Sequence, residues 1–448
     1  MGEPTDKMKK TLVAGLGKTG LSCARFLARR GVAFRVADSR LEPPGLAELR
    51  QELPEVEVHL GEFDPALFVD ASQVVLSPGI PLDVPAVRAA RQARVPVLGD
   101  IELFARHADA PVVAITGSNG KSTTTTLVGE MAKRAGREVR VGGNLGTPAL
   151  DLLGAGRPDL YVLELSSFQL EVTESLDCLA ATVLNISDDH LDRHHSLLEY
   201  AAVKQRVFRG HGTMVLNSDD PLVAAMADAG RSMVRFTLGA PRAASDYGLD
   251  RRDGVEWIVH GGEPVMRAGE LRIAGRHNLA NALAALALGA AAGLPRAAML
   301  ETLRTFPGLP HRCQFVAEID GVGYYNDSKG TNVGSTLAAL AGMPGDKVVL
   351  IAGGEGKGQD FTPLAPAVAA HARAVVLIGR DAEIIAAAIG NNVPSLRAGS
   401  MADAVRQARA AARRGDTVLL SPACASFDMF NNYVHRGEVF SAEVRGLS

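Results

Sequence analysis

The chain has 448 residues, 47% of them hydrophobic and 22% charged, with a formal net charge of −3. A single core stops growing well before that length, so roughly two to four domains are expected. The balance excludes a disordered chain and lacks the dense basic footprint of a nucleic-acid binder.

In chain order, the start from Met1 to Lys10 is polar, with no apolar signal-peptide core behind it. Short apolar runs follow at Thr11–Ala14, Ala33–Ala37 and Gln73–Leu76, with a helical pattern over Leu21–Arg30. This rhythm predicts buried parallel strands in a doubly wound sheet. A second α/β region begins near Gly99, with strands predicted at Val112–Ile115, Leu160–Leu163 and Thr182–Ile186. Between Ser232 and Ile273 the pattern shortens and alternates, as in Gly254–Val259, which predicts an antiparallel excursion on the same domain. A helix rich in Ala and Leu is expected over His277–Ala292. The apolar stretch it belongs to, Leu279–Leu294, is too short to span a bilayer. Phe306-Pro307-Gly308-Leu309-Pro310 reads as a linker. Strands at Val348–Ala352, Ala374–Ile378 and Thr417–Leu420 then make a third α/β unit. The expected domains are 1–99, 100–308 and 309–448. The cysteines Cys23, Cys178, Cys313 and Cys424 are widely spaced, which predicts free thiols in a reducing compartment rather than a zinc site or disulfides. The chain is expected to be cytoplasmic, without membrane insertion.

Two loops carry phosphate-binding chemistry. Gly15-Leu16-Gly17-Lys18-Thr19-Gly20 lies between a strand and a helix, where glycines allow close backbone approach to a phosphate. Asp38 closes the second strand, where a nucleotide-contacting acid is expected. By itself this fits a dinucleotide oxidoreductase as well as any other nucleotide binder.

Thr116-Gly117-Ser118-Asn119-Gly120-Lys121-Ser122 follows the strand Val112–Ile115 and leads into a helix. Backbone N–H groups there can cradle ATP phosphates, Lys121 can neutralise them, and the Ser122 hydroxyl can reach Mg²⁺. Ile115 stands where the first glycine of the usual phosphate-loop pattern would be. Glu164 and His190 follow strands of the same sheet, and ligands bind off the carboxyl ends of such strands. Carboxylate and imidazole could hold Mg²⁺ there. On its own, Lys204 in Glu199–Lys204 reads as a solvated helix lysine.

Taken together, these motifs resemble the Mur ligase family, along nearly the whole chain. The resemblance rests on Gly15–Gly20, Ser77-Pro78-Gly79, Gly99–Glu102, Thr116–Thr123, Gly142–Gly146, Glu164–Leu170, Asp189–Arg193, Gly275–Leu283 and His311-Arg312. It continues through Asn326–Lys329, Thr331-Asn332 and Ser421–Ser426. It implies a Rossmann-like first domain for UDP, a central P-loop ATPase-like α/β domain and a Rossmann-like C-terminal domain. The implied activity is ATP-dependent addition of D-glutamate to UDP-N-acetylmuramoyl-L-alanine through an acyl phosphate, in peptidoglycan precursor synthesis. A monomer is implied.

The resemblance also implies roles. Gly17, Lys18, Thr19, Asp38, Ser39, Arg40, Ser77 and Gly79 would hold the UDP substrate, with Asn144 and His190 nearer its reacting end. Gly117, Asn119, Gly120, Lys121, Ser122, Thr123, Asn281, Arg312 and Asp327 would bind ATP. Ser122, Glu164, His190 and Lys204, the last as N6-carboxylysine, would hold Mg²⁺. Lys121, His190, Lys204 and Lys329 would be catalytic. Thr331, Lys357, Ser426, Phe427 and Tyr433 would line the glutamate pocket, Phe427 and Tyr433 standing where the family has Leu and Phe. Gly379-Arg380-Asp381-Ala382 replaces the Asp-Asn-Pro-Arg motif of the diamino-acid-adding member. The alternatives are another Mur or folylpolyglutamate-type ligase, or a P-loop regulatory ATPase. The third domain, carrying Arg312, Asp327 and Lys357, would have to swing inward onto the ATP loop.

Overall fold

A computed structural model describes residues 9–154, 156–273 and 275–447 of the chain. Residues 1–8, most of the polar start, lie outside the described residues, as does the side chain of Asp192 in the His190 motif. The described strands form three sheets of five, nine and six strands.

The first sheet is parallel throughout, in the order Glu57–Leu60, Phe34–Asp38, Thr11–Ala14, Val74–Leu76, Val97–Leu98. The order reverses on either side of Thr11–Ala14, so a crevice opens beyond its carboxyl end, where Gly15–Gly20 lies. Gly15 (φ +91°) packs so closely on Ser77 that a Cβ there would collide with the serine side chain.

The second sheet repeats the device. Val112–Thr116 is flanked by Leu160–Glu164 and Ala180–Val183, both parallel to it. Parallel neighbours end on the same edge, so the loop after Thr116, the carboxylate of Glu164 and the segment after Val183 share one rim. The predicted strand Thr182–Ile186 sits earlier, at Ala180–Val183. Beyond it, side chains capture the backbone. Asn217 Nδ2 donates to the Leu184 carbonyl at 2.8 Å, and Ile186 N–H donates to Asp220 at 2.7 Å. The antiparallel excursion is also shorter than predicted. Met233–Phe236 pairs parallel with Thr213–Asn217, and only Tyr247–Arg252, Val255–His260 and Glu263–Arg267 form an antiparallel meander. The helix Arg276–Ala291 is buried on most of its faces, and its Leu and Ala side chains cover this sheet.

The third sheet runs Gln314–Ile319, Val322–Asn326, Thr417–Leu420, Val348–Gly353, Ala372–Ile378, Ser395–Arg397, with only the first pair antiparallel. Its core clusters draw only on its own unit. One cluster, by contrast, joins Val13, Leu16 and Phe26 of the first unit to Phe104, Leu150 and Tyr161 of the second. Among the described residues the first two units therefore share one core cluster, whereas the third unit's buried clusters are its own.

Among the described residues, no helix is long and apolar enough to cross a membrane.

Candidate active site

The helix Lys121–Arg134 begins at Gly120, which has φ +83° and gives no side-chain cap. Its first N–H groups and the positive end of its dipole are left for an anion. Only glycine fits at Gly120, since a Cβ would run into Asn281 Oδ1. The loop before the helix is fixed from below. Ser118 N–H donates to the Asn185 carbonyl, and Asn119 N–H donates to Asn185 Oδ1 at 2.8 Å. Asn185 was missed in the sequence reading. The predicted strand Thr182–Ile186 hides it, and only the observed end of that strand at Val183 leaves Asn185 on the rim.

Lys121 folds back on its own loop, donating to the carbonyls of Gly117 and Ser118, both at 2.8 Å. Burial lowers its pKa, against the pull of Glu164 and Asp189. Lys204 donates to the same Gly117 carbonyl at 2.9 Å and to Thr116 Oγ1 at 3.4 Å. It is no solvated lysine: it is 1% exposed. Burial, then the charge of Lys121, holds its pKa well below the usual lysine range. The helical pattern of Leu197–Gln205 gave no sign of this, because the burying surface comes from the strand and loop at 116–117.

Glu164 is buried, and Asn144 Nδ2 donates to its Oε1 at 2.6 Å. Its Oε2 is buried with no hydrogen-bond partner among the described residues. A buried, unsatisfied carboxylate oxygen beside a phosphate loop fits a hard cation such as Mg²⁺. Among the described residues no group of three or more His, Cys, Asp and Glu gathers to hold a metal.

The third unit is docked on this rim. Arg312 Nη2 donates to Ser122 Oγ at 2.7 Å, and Asn332 Nδ2 donates to Asn119 Oδ1 and Asp189 Oδ2 at 3.3 and 3.2 Å. Arg312 thus already touches the loop in this arrangement.

Two adjoining cavities result. One, of about 310 Å³, is lined by Asn119, Gly120, Thr123, Asn281, Arg312 and Asp327, with Phe236 and His277 as walls that the sequence reading missed. The other, of about 1000 Å³, brings Lys121, Ser122, Asn144, Glu164, His190 and Lys204 together with the third unit's Lys329, Thr331, Lys357, Ser426, Phe427 and Tyr433. Lys329 lies over the Tyr433 ring at 4.2 Å. Its pKa falls to about 8 through burial, then the nearby Arg312 and Lys121 charges. The His190 ring packs edge-on against Phe168.

Gly17, Lys18, Thr19, Asp38, Ser39, Arg40, Ser77 and Gly79 line neither cavity. They gather at the first sheet's crevice. Asp38 accepts from Leu16 N–H at 2.6 Å and from Arg40 Nε and Nη2 at 2.9 and 2.7 Å. Burial works to raise its pKa but is outweighed by the Arg40 contacts and the backbone N–H groups, so it lies below the usual range. Arg193 bridges the two places, donating to the carbonyls of Pro78 and Ile80 from the second unit.

Asp327 is buried, and burial pushes its pKa up to about 6. It accepts from Ser421 Oγ at 2.8 Å and Cys313 N–H at 3.1 Å. An acid whose native pKa exceeds its unfolded value costs stability once ionised. That cost is absent below pH ~4, grows through about pH 6 and is then constant, at roughly 3 kcal/mol for a two-unit shift. Asp327→Asn is expected to stabilise the chain at pH 7 by about 1–3 kcal/mol, an advantage lost toward pH 4. Ser421 can turn its proton to Thr336 Oγ1, 3.0 Å away, and accept from the new amide. Urea melts at both pH values check this; a destabilised variant at pH 7 overturns it.

Known proteins align with the whole of this architecture. Residues 9–99 match the Mur ligase MurD-like N-terminal domain, 115–289 the Mur ligase middle domain and 311–424 the Mur ligase glutamate ligase domain. A UDP-N-acetylmuramoylalanine--D-glutamate ligase of Nitrosococcus oceani is 57% identical, covering 98% of this chain and 96% of its own. Its namesake in Marinobacter nauticus is 56% identical, covering 98% of each. Among solved structures, a pseudomurein peptide ligase type C from Methanothermus fervidus superposes with a TM-score of 0.62 at 18% identity, over 98% of this chain and 100% of its own. At that identity the likeness speaks for the fold alone. With its three successive domains matched in order and relatives more than half identical from end to end, the chain belongs to the Mur ligase family.

Proposed function

We infer that this chain is the ATP-dependent, ADP-forming ligase that adds D-glutamate to UDP-N-acetylmuramoyl-L-alanine in peptidoglycan precursor synthesis. One observation carries the reading. The cavity of about 1000 Å³ joins a phosphate loop and an unsatisfied buried carboxylate on one wall to a cationic pocket of the third unit on the other. Relatives named for this reaction at 56–57% identity support it.

The proposed domains are 1–99 for the UDP substrate, 100–308 for ATP and 309–448 for the amino acid. Gly17, Lys18, Thr19, Asp38, Ser39, Arg40, Ser77 and Gly79 would bind the uridine diphosphate end. The substrate then extends past Arg193 so that its carboxylate reaches Asn144 and His190. The smaller cavity, with Asn281 and Asp327, would take the nucleoside of ATP. The helix N-terminus, Lys121 and Arg312 would grip its phosphates. Mg²⁺, held by Ser122, Glu164, His190 and a carbamylated Lys204, would neutralise phosphate charge. The substrate carboxylate displaces ADP from the γ-phosphorus and becomes an acyl phosphate. The amine of a glutamate held through Thr331, Lys357, Ser426, Phe427 and Tyr433, with Lys329 nearby, attacks the acyl carbon. Inorganic phosphate leaves, the amine loses a proton, and the amide forms. Positioning and charge neutralisation are the main demands of such phosphoryl transfer.

The carbamate on Lys204 is supported by geometry. Its amine is buried, its hydrogen bonds among the described residues go to uncharged oxygens, and a neutral amine adds carbon dioxide with loss of one proton. The enzyme is proposed to act as a cytoplasmic monomer.

Phosphate release in a coupled assay is expected with ATP, UDP-N-acetylmuramoyl-L-alanine and D-glutamate together, and to fall to background with L-glutamate or without acceptor. Brisk hydrolysis without acceptor would instead mark a regulatory ATPase.

A further inference from the structure

The largest fully buried side chain among the described residues is that of Arg436, on the helix Tyr433–Arg445, at 0% exposure. Burying a guanidinium is costly unless its donors are met. Here they are met by neutral oxygens. Nε donates to Ser328 Oγ at 3.0 Å, and Nη1 donates to the Ala425 carbonyl at 3.2 Å. Nη2 donates to the carbonyls of Ser328 at 2.8 Å and Cys424 at 3.0 Å. Burial lowers its pKa to about 10, so it remains charged at neutral pH.

The residues so held are the neighbours of the amino-acid pocket. Ser328 precedes Lys329 and Thr331. Cys424 and Ala425 precede Ser426 and Phe427. Ser328 Oγ in turn donates to the carbonyl of Tyr433 at 2.8 Å. The Ala425 carbonyl, besides Arg436, accepts from Glu355 N–H at 3.0 Å, and Ala425 N–H returns the bond to the Glu355 carbonyl at 2.9 Å. This ties in the loop that carries Lys357. Ala423 N–H donates to the Gly330 carbonyl at 2.9 Å, with Ala423 in the left-handed region at φ +59°, a conformation a non-glycine residue keeps only when its surroundings impose it. The segments that bear Lys329, Thr331, Lys357, Ser426, Phe427 and Tyr433 thus meet over one guanidinium. Asp327, on the nucleotide side, is held by Ser421 and Cys313 instead.

We propose that Arg436 is a positioning residue for amino-acid recognition: its planar fork locks the walls of the glutamate pocket in register without touching the substrate. A fork is needed because one ammonium could not reach all four oxygens in their fixed directions. The inference rests on the reading of that pocket as the glutamate site.

The test uses the full-length enzyme and initial rates over D-glutamate and over ATP, with wild type in parallel. Arg436→Met is expected to raise the glutamate KM about tenfold or more while the ATP KM stays within about twofold. Ser328→Ala, a milder lesion that removes one acceptor of the fork together with the bond to the Tyr433 carbonyl, is expected to raise the glutamate KM about threefold. In Arg436→Ala, added millimolar guanidinium is expected to restore part of the glutamate affinity. Should Arg436→Met fail to fold by thermal melting, Ser328→Ala decides. A glutamate KM unchanged in a folded variant overturns the proposal, as does a parallel rise in both KM values. Wild-type turnover that ignores glutamate would sink the reading of the pocket itself, a result seen before any variant is made.

Discussion

Lys121→Ala is expected to lower kcat/KM by about a hundredfold or more, on the order of 3 kcal/mol of transition-state stabilisation. Lys121 opens the helix Lys121–Arg134, so its charge adds to that of the helix dipole at the place where phosphates would lie. Its amine now rests on two carbonyls, Gly117 and Ser118. Phosphate oxygens are stronger acceptors for a cation than carbonyls are, so a triphosphate would draw the amine off them. Charge that grows on the transferring group is then met by a cation that needs no reorganisation. Arginine would not substitute well, since its wider fork cannot enter the same turn. The fold should survive, because Lys204 still donates to Gly117 and the Asn185 contacts to Ser118 and Asn119 remain. Phosphate-release kinetics beside thermal melts check this. Near-normal turnover in the alanine variant would remove Lys121 from the role.

Lys204→Ala is expected to lose activity to a similar degree, about a hundredfold, while folding normally, and to regain part of it in short carboxylic acids such as acetate. The amine is buried against Thr116 and Gly117 and stacks at 4.5 Å over the Tyr200 ring. Deleting it opens a small polar cavity with a carbonyl at one end. Lys121 continues to satisfy that carbonyl, so the loss to stability is modest. The loss to catalysis is not modest if the nitrogen bears a carbamate, because an anion that would share Mg²⁺ with Glu164 disappears. A small carboxylate diffusing into the cavity supplies the missing oxygens. Activity measured with and without acetate, alongside melting curves, decides the matter. A fully active alanine variant rules the carbamate out, and loss of activity that no carboxylate restores reduces Lys204 to a structural amine.

The sequence by itself determined the three α/β units and the two glycine-rich loops that follow their first strands, and it pointed to many of the residues that line the larger cavity. Glycines that tolerate no Cβ, such as Gly15 and Gly120, and buried apolar runs such as Val112–Ile115 are local signals, set by sterics and by period. Parallel strands also carry the residues that follow them to one rim, so Glu164 was legible from its place after Leu163. What only the tertiary structure decided lies in contacts between distant segments. Lys204 reads as a surface lysine on its own helix and becomes buried because Thr116 and Gly117 cover it. Asn185 and Arg436 follow no motif; each matters for the backbone groups it reaches in segments far along the chain. The parallel pairing of Met233–Phe236 was equally hidden, since alternation fixes which face a side chain takes and says nothing of the direction of its neighbour. Local chemistry is written along the chain, whereas burial and partnership depend on which segments the fold sets against one another.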